Sequence, residues 1–252
     1  MYTLYQQLIF RPLYNGLIAL MDVFPWMDVG IAVAIFTVII KLILSPLSKA
    51  SLLTQVKMKE VEPEVNKIKA QYSNDRQVQA MKIMELYRER GVRPFAGILL
   101  ILIQLPILLA LISVFYKIIP TAQAEFLYSF VTLPEIKTQF LGFIDLTQKS
   151  LVLSLLTGII QWGQLHFSLA SQHKPLPDGG KHSDFSSQLA VSMSKQMKFM
   201  VPIIAFASTY WLIPLQFPQA ASIIAIYWSV SSLFTLVHEL VIRRKVAKHQ
   251  IR

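Results

Sequence analysis

The sequence predicts an all-α membrane protein with five transmembrane helices, an N-terminal interfacial helix and a cytoplasmic helical hairpin. Three observations lead to this fold class. Hydrophobic residues make up 54% of the 252 residues, and the mean hydropathy is +0.50. Only 15% of the residues are charged, against about 25% in an ordinary soluble domain. Five stretches are mainly apolar over about 20 residues, the length that a helix needs to cross a bilayer.

The N-terminal helix is predicted over residues 1–25, in the membrane interface on the external side. Arg11 and Asn15, together with two glutamines, interrupt the apolar run of this segment. The segment also lacks the basic start and the small-residue cleavage site of a secretory signal. Its apolar residues recur at helical spacing, at Tyr2, Leu4, Leu8, Ile9, Leu13, Leu17 and Ile18. This pattern is typical of an amphipathic helix lying along a bilayer surface; the alternative interpretation is a mobile N-terminus.

The five predicted spans are separated by polar segments of very different length. Pro202 and Pro214 lie near the ends of the fourth span. The spans are predicted at 26–48, 94–117, 150–170, 199–215 and 219–242. The other segments are a cytoplasmic helical hairpin over 49–93, an external segment over 118–149, a cytoplasmic loop over 171–198 and a basic cytoplasmic tail over 243–252.

The distribution of Lys and Arg predicts the orientation of the chain. The hairpin, the loop at 171–198 and the tail together carry nineteen of the 24 basic residues, and the segments on the opposite side carry four. The remaining one is Lys41, inside the first span. Cytoplasmic segments are the ones enriched in Lys and Arg. We therefore expect the N-terminus outside and the C-terminus in the cytoplasm.

Residues 49–93 are too numerous for a simple connection and too polar to span a bilayer. The pattern predicts two helices around a turn at 73-SND-75, with Asp75 capping the second helix. Pro63 suits the first turn of the first helix, and Gly91 ends the second. Apolar and aromatic residues follow helical spacing on both helices, including Val65, Ile68, Tyr72, Val78, Met81 and Tyr87.

The composition excludes several kinds of chemistry. The chain has no cysteine, which excludes disulfides and thiol nucleophiles. Its His, Asp and Glu residues show no metal-binding spacing such as HExxH, and there is no glycine-rich nucleotide fingerprint. We therefore expect no cofactor, no metal and no enzymatic activity. The net charge of +10 and the pI near 9.7 indicate acidic partners: anionic lipid head groups, nucleic acid or acidic segments of other proteins.

One lysine lies inside an apolar run, 35-IFTVIIKLILSPLS-48. Lys41 is roughly 16 Å from Gly30 at 1.5 Å per residue, near the middle of the bilayer core. Placing a lysine there costs about 2.5–3.5 kcal/mol. Thr37, Lys41 and Ser45 are four residues apart, so they share one face of the predicted helix. That face indicates a water-filled groove with Lys41 as its fixed positive charge; the alternative is that the side chain extends to the cytoplasmic head groups.

Three further spans carry polar residues at helical spacing. The groove-lining candidates of the third and fifth spans are Ser154, Thr157, Gln161, Gln164, Ser229 and Ser232. The second span adds Gln104, with Pro106 as a kink two residues on. Polar faces of membrane helices turn toward each other or toward water, although Ser and Thr also bond their own backbone or pack helices closely. A cytoplasm-open groove of this kind attracts an acidic residue of an entering chain, whose hydrophobic segment then leaves sideways into lipid.

Four motifs together resemble the YidC family of membrane protein insertases, and the resemblance covers most of residues 1–245. They are 39-IIKLILSPLS-48, 61-VEPEVNKIKAQYSNDRQ-77, 84-MELYRERGVRP-94 and 97-GILLILIQLPILLALISVFY-116. The family places an arginine in its groove, in a first conserved span that a Pro-Leu pair follows. Lys41, five residues before Pro46, occupies that position here. Lysine keeps the charge but, unlike arginine, can lose it on desolvation. Arg93 stands before Pro94, where the family commonly has asparagine.

The resemblance implies a protein of the bacterial cytoplasmic membrane that inserts and helps to fold membrane proteins, alone or beside the Sec translocon. The implied partners are nascent membrane proteins, the ribosome, the Sec translocon and anionic lipids, without sequence-specific nucleic-acid binding. Two other functions compete with it. One is a transporter of small anions that uses Lys41, although no paired half-helices or inverted repeats are evident. The other is an intramembrane hydrolase with a serine beside His166 or His238, although no nucleophile motif surrounds any serine.

Overall fold

The computed structural model describes residues 2–118, 123–170 and 185–250, and most of these residues are helical. The prediction of a mainly helical protein is therefore confirmed. Residues 171–184 of the predicted cytoplasmic loop lie outside the described residues. The chain forms two compact units. The first contains the chain up to Lys41 together with Pro106–Leu240, and the second contains Leu42–Leu105 together with the chain from Val241 onward.

The N-terminal region is helical through Val23. It consists of α1 (Tyr2–Tyr5), a π-helical turn (Gln6–Phe10) and α2 (Arg11–Val23), with Pro12 in the first turn of α2. The apolar residues predicted to share one face fall into two groups. Leu17 and Ile18 are fully buried in the protein core, whereas Leu4 and Leu8 are exposed. One face of α2 therefore packs into the core of the first unit, together with apolar residues of the helices that follow.

The predicted first span is broken at Leu44. Helix α3 (Val29–Ile43) ends there, and α4 (Ser45–Glu60) begins with Pro46 in its first turn. Proline has no amide hydrogen, and its ring clashes with the carbonyl group four residues earlier, so a straight helix cannot run through this position. The expectation of one continuous helical face is wrong beyond Lys41, because Ser45 lies on the next helix.

Two packed helices follow in the second unit. They are α5 (Glu62–Gln71), with Pro63 in its first turn, and α6 (Arg76–Glu89). The side chain of Asp75 accepts hydrogen bonds from the amides of Gln77 and Val78, both at 3.0 Å, which confirms the predicted cap. Gly91, at a φ of 61°, follows α6 in the left-handed conformation that glycine adopts without strain, as predicted. A small core joins these elements and consists of Val61, Val65, Leu86 and Val92.

Helix α7 (Ala96–Ile118) contains Pro106 and precedes the segment predicted to be external, which belongs to the first unit. The described part of this segment has little helix. It contains a 3₁₀ turn (Ala124–Phe126) and two short antiparallel strands, β1 (Gln139–Phe140) and β2 (Ile144–Asp145), in which Phe140 pairs with Ile144.

Three longer helices complete the chain. They are α8 (Leu151–Ala170), α9 (Phe185–Ala207) and α11 (Ala221–Gln250); a π-helical turn (Ser208–Leu212) and the short α10 (Ile213–Gln216) follow α9. Among the described residues, Gln196–Gln216 and Ala221–Val246 are long and apolar enough to cross a membrane, and the broken pair α3–α4 makes a third span if it is counted as one. A shorter apolar stretch covers Leu102–Ile118. Helix α8 is not among them, because Gln161, Gln164 and His166 lower its mean hydropathy.

Candidate functional site

Lys41 lies in the last turn of α3 and is half-buried. It is about 18 Å along the helix from Val29, the first residue of α3. Within the part of the chain that the structure describes, its Nζ has no hydrogen-bonding or ion-pairing partner. Thr37, one turn earlier, is buried and donates its hydroxyl to the carbonyl of Val33 at 2.6 Å. The Thr37 hydroxyl is therefore satisfied within its own helix, and the Lys41 ammonium is the polar group of this face without a partner among the described residues.

The polar faces of α8 and α11 contact each other. The hydroxyl oxygens of Thr157 and Ser229 are 3.0 Å apart, and Thr157 also lies 3.0 Å from the carbonyl oxygen of Ala225. One turn further along, Ser232 donates to Oε1 of Gln161 at 2.6 Å. The Thr157–Ser229 and Gln161–Ser232 contacts join four of the predicted groove residues. They agree with the expectation that polar faces of membrane helices turn toward each other.

The other predicted groove residues are placed individually. Ser154 is buried on α8 and Gln164 is half-buried one turn beyond Gln161. Ser45 and Gln104 are both half-buried, but they belong to the second unit. The residues of the first unit that remain candidates for a common site are therefore Thr37, Lys41, Ser154, Thr157, Gln161, Gln164, Ser229 and Ser232.

The predicted hairpin residues have distinct positions in α5, α6 and the turn between them. Pro63 begins α5, Asp75 caps α6, and the carbonyl of Tyr72 accepts from the amide of Asp75 at 3.2 Å. Tyr87 packs against the small core of the second unit. Met81 is 62% exposed, and it lines an open cavity of about 680 Å³ that also contacts Met84, Arg88, Val92 and Pro94. This surface combines flexible methionine side chains with the charged Lys82, Glu85 and Arg88.

Two buried polar residues of the first unit were missed from the sequence. The amide of Asn15 donates to the carbonyls of Arg11 (2.8 Å) and Phe126 (2.9 Å), and its oxygen accepts from the amide of Tyr128 (2.7 Å). Asp28 accepts from the amide of Ile31 (2.9 Å) in α3. An isolated amide in an apolar run, and an Asp just before a span, are the signals that point to such bonds.

Tyr14 of α2 is a third missed residue. Its hydroxyl donates to the carbonyl of Gln123 at 3.1 Å and accepts from the amide of the same residue at 2.7 Å. Burial raises the pKa of this phenol above its ordinary value. Donation to the carbonyl requires the neutral hydroxyl, which burial favours, whereas the bond from the Gln123 amide lowers the pKa in part.

The fold and the buried polar side chains together define an integral membrane protein. Apolar helices of spanning length are combined with hydroxyl, amide and ammonium groups that would be costly in lipid. The chain belongs to the family of the 60Kd inner membrane protein, whose sequence profile matches residues 20–249. The resemblance to the YidC family is thereby confirmed.

Three relatives illustrate the similarity, and each is named membrane protein insertase YidC. The protein of Fusobacterium nucleatum is 31% identical over 218 residues, which cover 86% of this chain and 87% of that protein. The protein of Clostridium tetani is 28% identical over 220 residues, or 87% of this chain and 84% of that protein. The protein of Amoebophilus asiaticus is 30% identical over 227 residues. The match covers 88% of this chain but 34% of that relative, so the chain spans about a third of its length.

Proposed function

We propose that this protein is a membrane protein insertase and folding chaperone. It takes hydrophobic segments of nascent membrane proteins through a hydrophilic groove, open to the cytoplasm, and releases them into the bilayer. The observation that carries the proposal is the half-buried Lys41 ammonium in an apolar helix, with no partner among the described residues. Relatives of similar length, named as insertases, support it.

Lys41 supplies the electrostatic part of this function. A carboxylate of an entering segment loses hydration when it leaves water, and a nearby ammonium offsets part of that loss. The half-buried Gln161 and Gln164 offer amide groups for the backbone of the segment. Thr37, Ser154, Thr157, Ser229 and Ser232 are buried and make the helix faces beside them polar. Ser45 and Gln104 remain predictions from the sequence. Burial of the hydrophobic segment in lipid provides the driving force, so the scheme needs no nucleotide.

The proposal includes five spans, an external N-terminus and a cytoplasmic C-terminus. The excess of Lys and Arg on the hairpin, the loop and the tail supports this orientation. The open cavity beside Met81 and the basic tail from Arg243 onward offer docking surfaces for the ribosome and the Sec translocon. Anionic lipids are the expected partners of the same basic segments.

Reconstitution tests the function directly. Liposomes that contain the protein should insert a small client with an acidic translocated segment at least about tenfold faster than empty liposomes. This increase corresponds to an activation free energy that is lower by about 1.4 kcal/mol. Uptake of small anions without client insertion would instead establish the transporter, and no gain in either assay would reject both functions.

Lys41 variants test the electrostatic role within the same assay. Lys41→Arg should keep the rate, because the charge is retained. Lys41→Glu should slow insertion of the acidic client by about tenfold or more, because two carboxylates then repel each other. A client whose translocated segment has no charge is the matched control and should be affected much less. Equal rates for the Arg and Glu variants with the acidic client would remove the electrostatic role.

A further inference from the structure

The turn between β1 and β2 exposes apolar side chains at its tip. Leu141 is 56% exposed and Phe143 is 72% exposed. Leu141 has a φ of 52°, a left-handed conformation that asparagine and glycine adopt more readily than leucine. In water, a polar residue or glycine at this position would relieve both the backbone strain and the exposure of apolar surface. The run from Phe140 to Ile144 is also uncharged. These features indicate that the tip is not surrounded by water.

The turn is held firmly against the start of α3. The amide of Val29 donates to the carbonyl of Lys137 at 3.0 Å, and the amide of Leu141 donates to Oδ2 of the buried Asp28 at 3.1 Å. The ring of Phe140 packs directly on Gly30, where even a methyl group would collide with the ring. The position of the tip is therefore fixed relative to the first residues of α3.

The surroundings of the tip match those of a membrane–water interface. Trp26, three residues before α3, is 67% exposed. Trp26, Ile31 and Leu141 line an open depression of about 590 Å³, together with Lys137. Lys137 donates to the carbonyl of Pro25 at 2.8 Å. Tryptophan and lysine at the end of an apolar helix are typical of the head-group region.

We propose that the turn at 141–143 and Trp26 insert into the outer leaflet of the bilayer and fix the depth of α3. The inference rests on the proposed function for the placement of α3 in the membrane. Because Lys41 lies on the same helix, about 18 Å from Val29, the inserted turn also sets the depth of the groove lysine. The occupant of this surface is a lipid interface, since the apolar tip is continuous with the start of an apolar helix.

The first experiment measures the surroundings of the tip. The chain has no cysteine, so Leu141→Cys and Phe143→Cys can each be labelled with a bimane fluorophore in lipid nanodiscs. Glu135→Cys, an exposed polar position on the same segment, is the matched control. Labels at the tip should be quenched by iodide about threefold less than the control and more strongly by lipids with a nitroxide near the head group. Equal iodide quenching at the three positions would overturn the proposal.

The second experiment measures the depth of α3 without a label on the tip. The double variant Leu141→Asn and Phe143→Ser keeps the turn, because asparagine tolerates the left-handed conformation, but it removes the apolar tip. A bimane on Ile39→Cys, exposed on α3, reports depth through its relative quenching by shallow and deep nitroxide lipids. This ratio should change about twofold in the double variant, and an unchanged ratio would contradict the depth-setting role. An unchanged quenching ratio in the double variant, with normal client insertion by the unmodified protein, would overturn this inference alone. Failure of insertion by the unmodified protein would overturn the proposed function.

Discussion

The predicted external segment and the predicted hairpin, formed by α5 and α6, are stabilised in different ways. Residues 123–145 of the first unit are bound by side chains more than 100 positions away in sequence, including Asn15 and Asp28. The hairpin of the second unit is stabilised by a four-residue apolar core and by bonds between near neighbours such as Asp75 and Gln77.

This difference predicts which of the two regions tolerates substitutions. Releasing the external segment leaves buried amide and carboxylate groups without partners, and such groups are costly. Separation of α5 from α6 exposes little more than the small apolar core of the hairpin. The external segment is therefore expected to be rigid and essential for folding, whereas the hairpin is suited to present a surface such as the one beside Met81.

Asn15→Leu should have the largest effect on stability. The change removes three hydrogen bonds and leaves the partly buried amide of Tyr128 without its acceptor, while the carbonyl of Phe126 keeps the weaker bond from Nε of Arg11 at 3.3 Å. We expect a loss of about 3 kcal/mol in the free energy of unfolding, measured by thermal unfolding in detergent. Gln7→Leu, at an exposed position of the same N-terminal region, is the control and should change stability little. A small effect of Asn15→Leu would mean that the external segment is not held by these bonds.

Gly30→Ala tests the packing of the external segment on α3. An added methyl group would collide with the ring of Phe140, so the strands would have to move. We expect a cost of about 2 kcal/mol, as for other overpacked sites. Gly163→Ala in α8, where no atom lies within 4 Å of the added group, is the matched control. It should be neutral or stabilising by up to about 1 kcal/mol, because alanine favours a helix. Equal effects of the two variants would contradict the close contact.

The same contrast explains how much of the fold the sequence predicts. The cap at Asp75 and the helix end at Gly91 depend on neighbouring residues, so local patterns predict them correctly. The bonds of Asn15 and Asp28 to the external segment depend on backbone groups more than 100 positions away. The two polar residues stand out in the sequence, but their partners do not. The break at Leu44 lies between these cases: Pro46 is visible, but the apolar run around it favours a continuous span.

The sequence likewise predicts only part of the candidate site. Helical spacing places Thr157 and Gln161 on one face of α8 and Ser229 and Ser232 on one face of α11, and the structure pairs these faces. Spacing alone does not give the register between two helices, since that register depends on the packing of their apolar neighbours. The depth of Lys41 likewise depends on where α3 begins, and Asp28 and the external segment determine that position.

Asp75→Ala should have a moderate effect that is confined to the hairpin. Two amides at the start of α6 lose their acceptor, and loss of such a cap typically costs about 1 kcal/mol. Hydrogen exchange of the first turn of α6 should become faster by about fivefold, while the unfolding temperature of the whole protein changes little. Asp75→Asn keeps an acceptor and should exchange nearly as slowly as the unmodified protein. Faster exchange throughout the chain would show that the hairpin is not locally stabilised.

Glu64→Gln should have the smallest effect. Nη2 of Arg90 lies 2.8 and 2.9 Å from the two carboxylate oxygens of Glu64, but both side chains are about half exposed. Water and salt screen such a pair, so its loss should cost less than about 1 kcal/mol. Glu62→Gln removes an acidic residue from the same first turn of α5, so it controls for the interaction with the helix dipole.

The difference between the Glu64 and Glu62 variants isolates the ion pair. Hydrogen exchange of α5 and α6 should show this difference at low salt and lose it at high salt. If the difference persisted at high salt, and its size approached the loss of stability in Asn15→Leu, the hairpin would depend on polar bonds as strongly as the external segment does. The contrast between the two regions would then have to be abandoned, because it requires that surface charges contribute little where an apolar core holds the helices together.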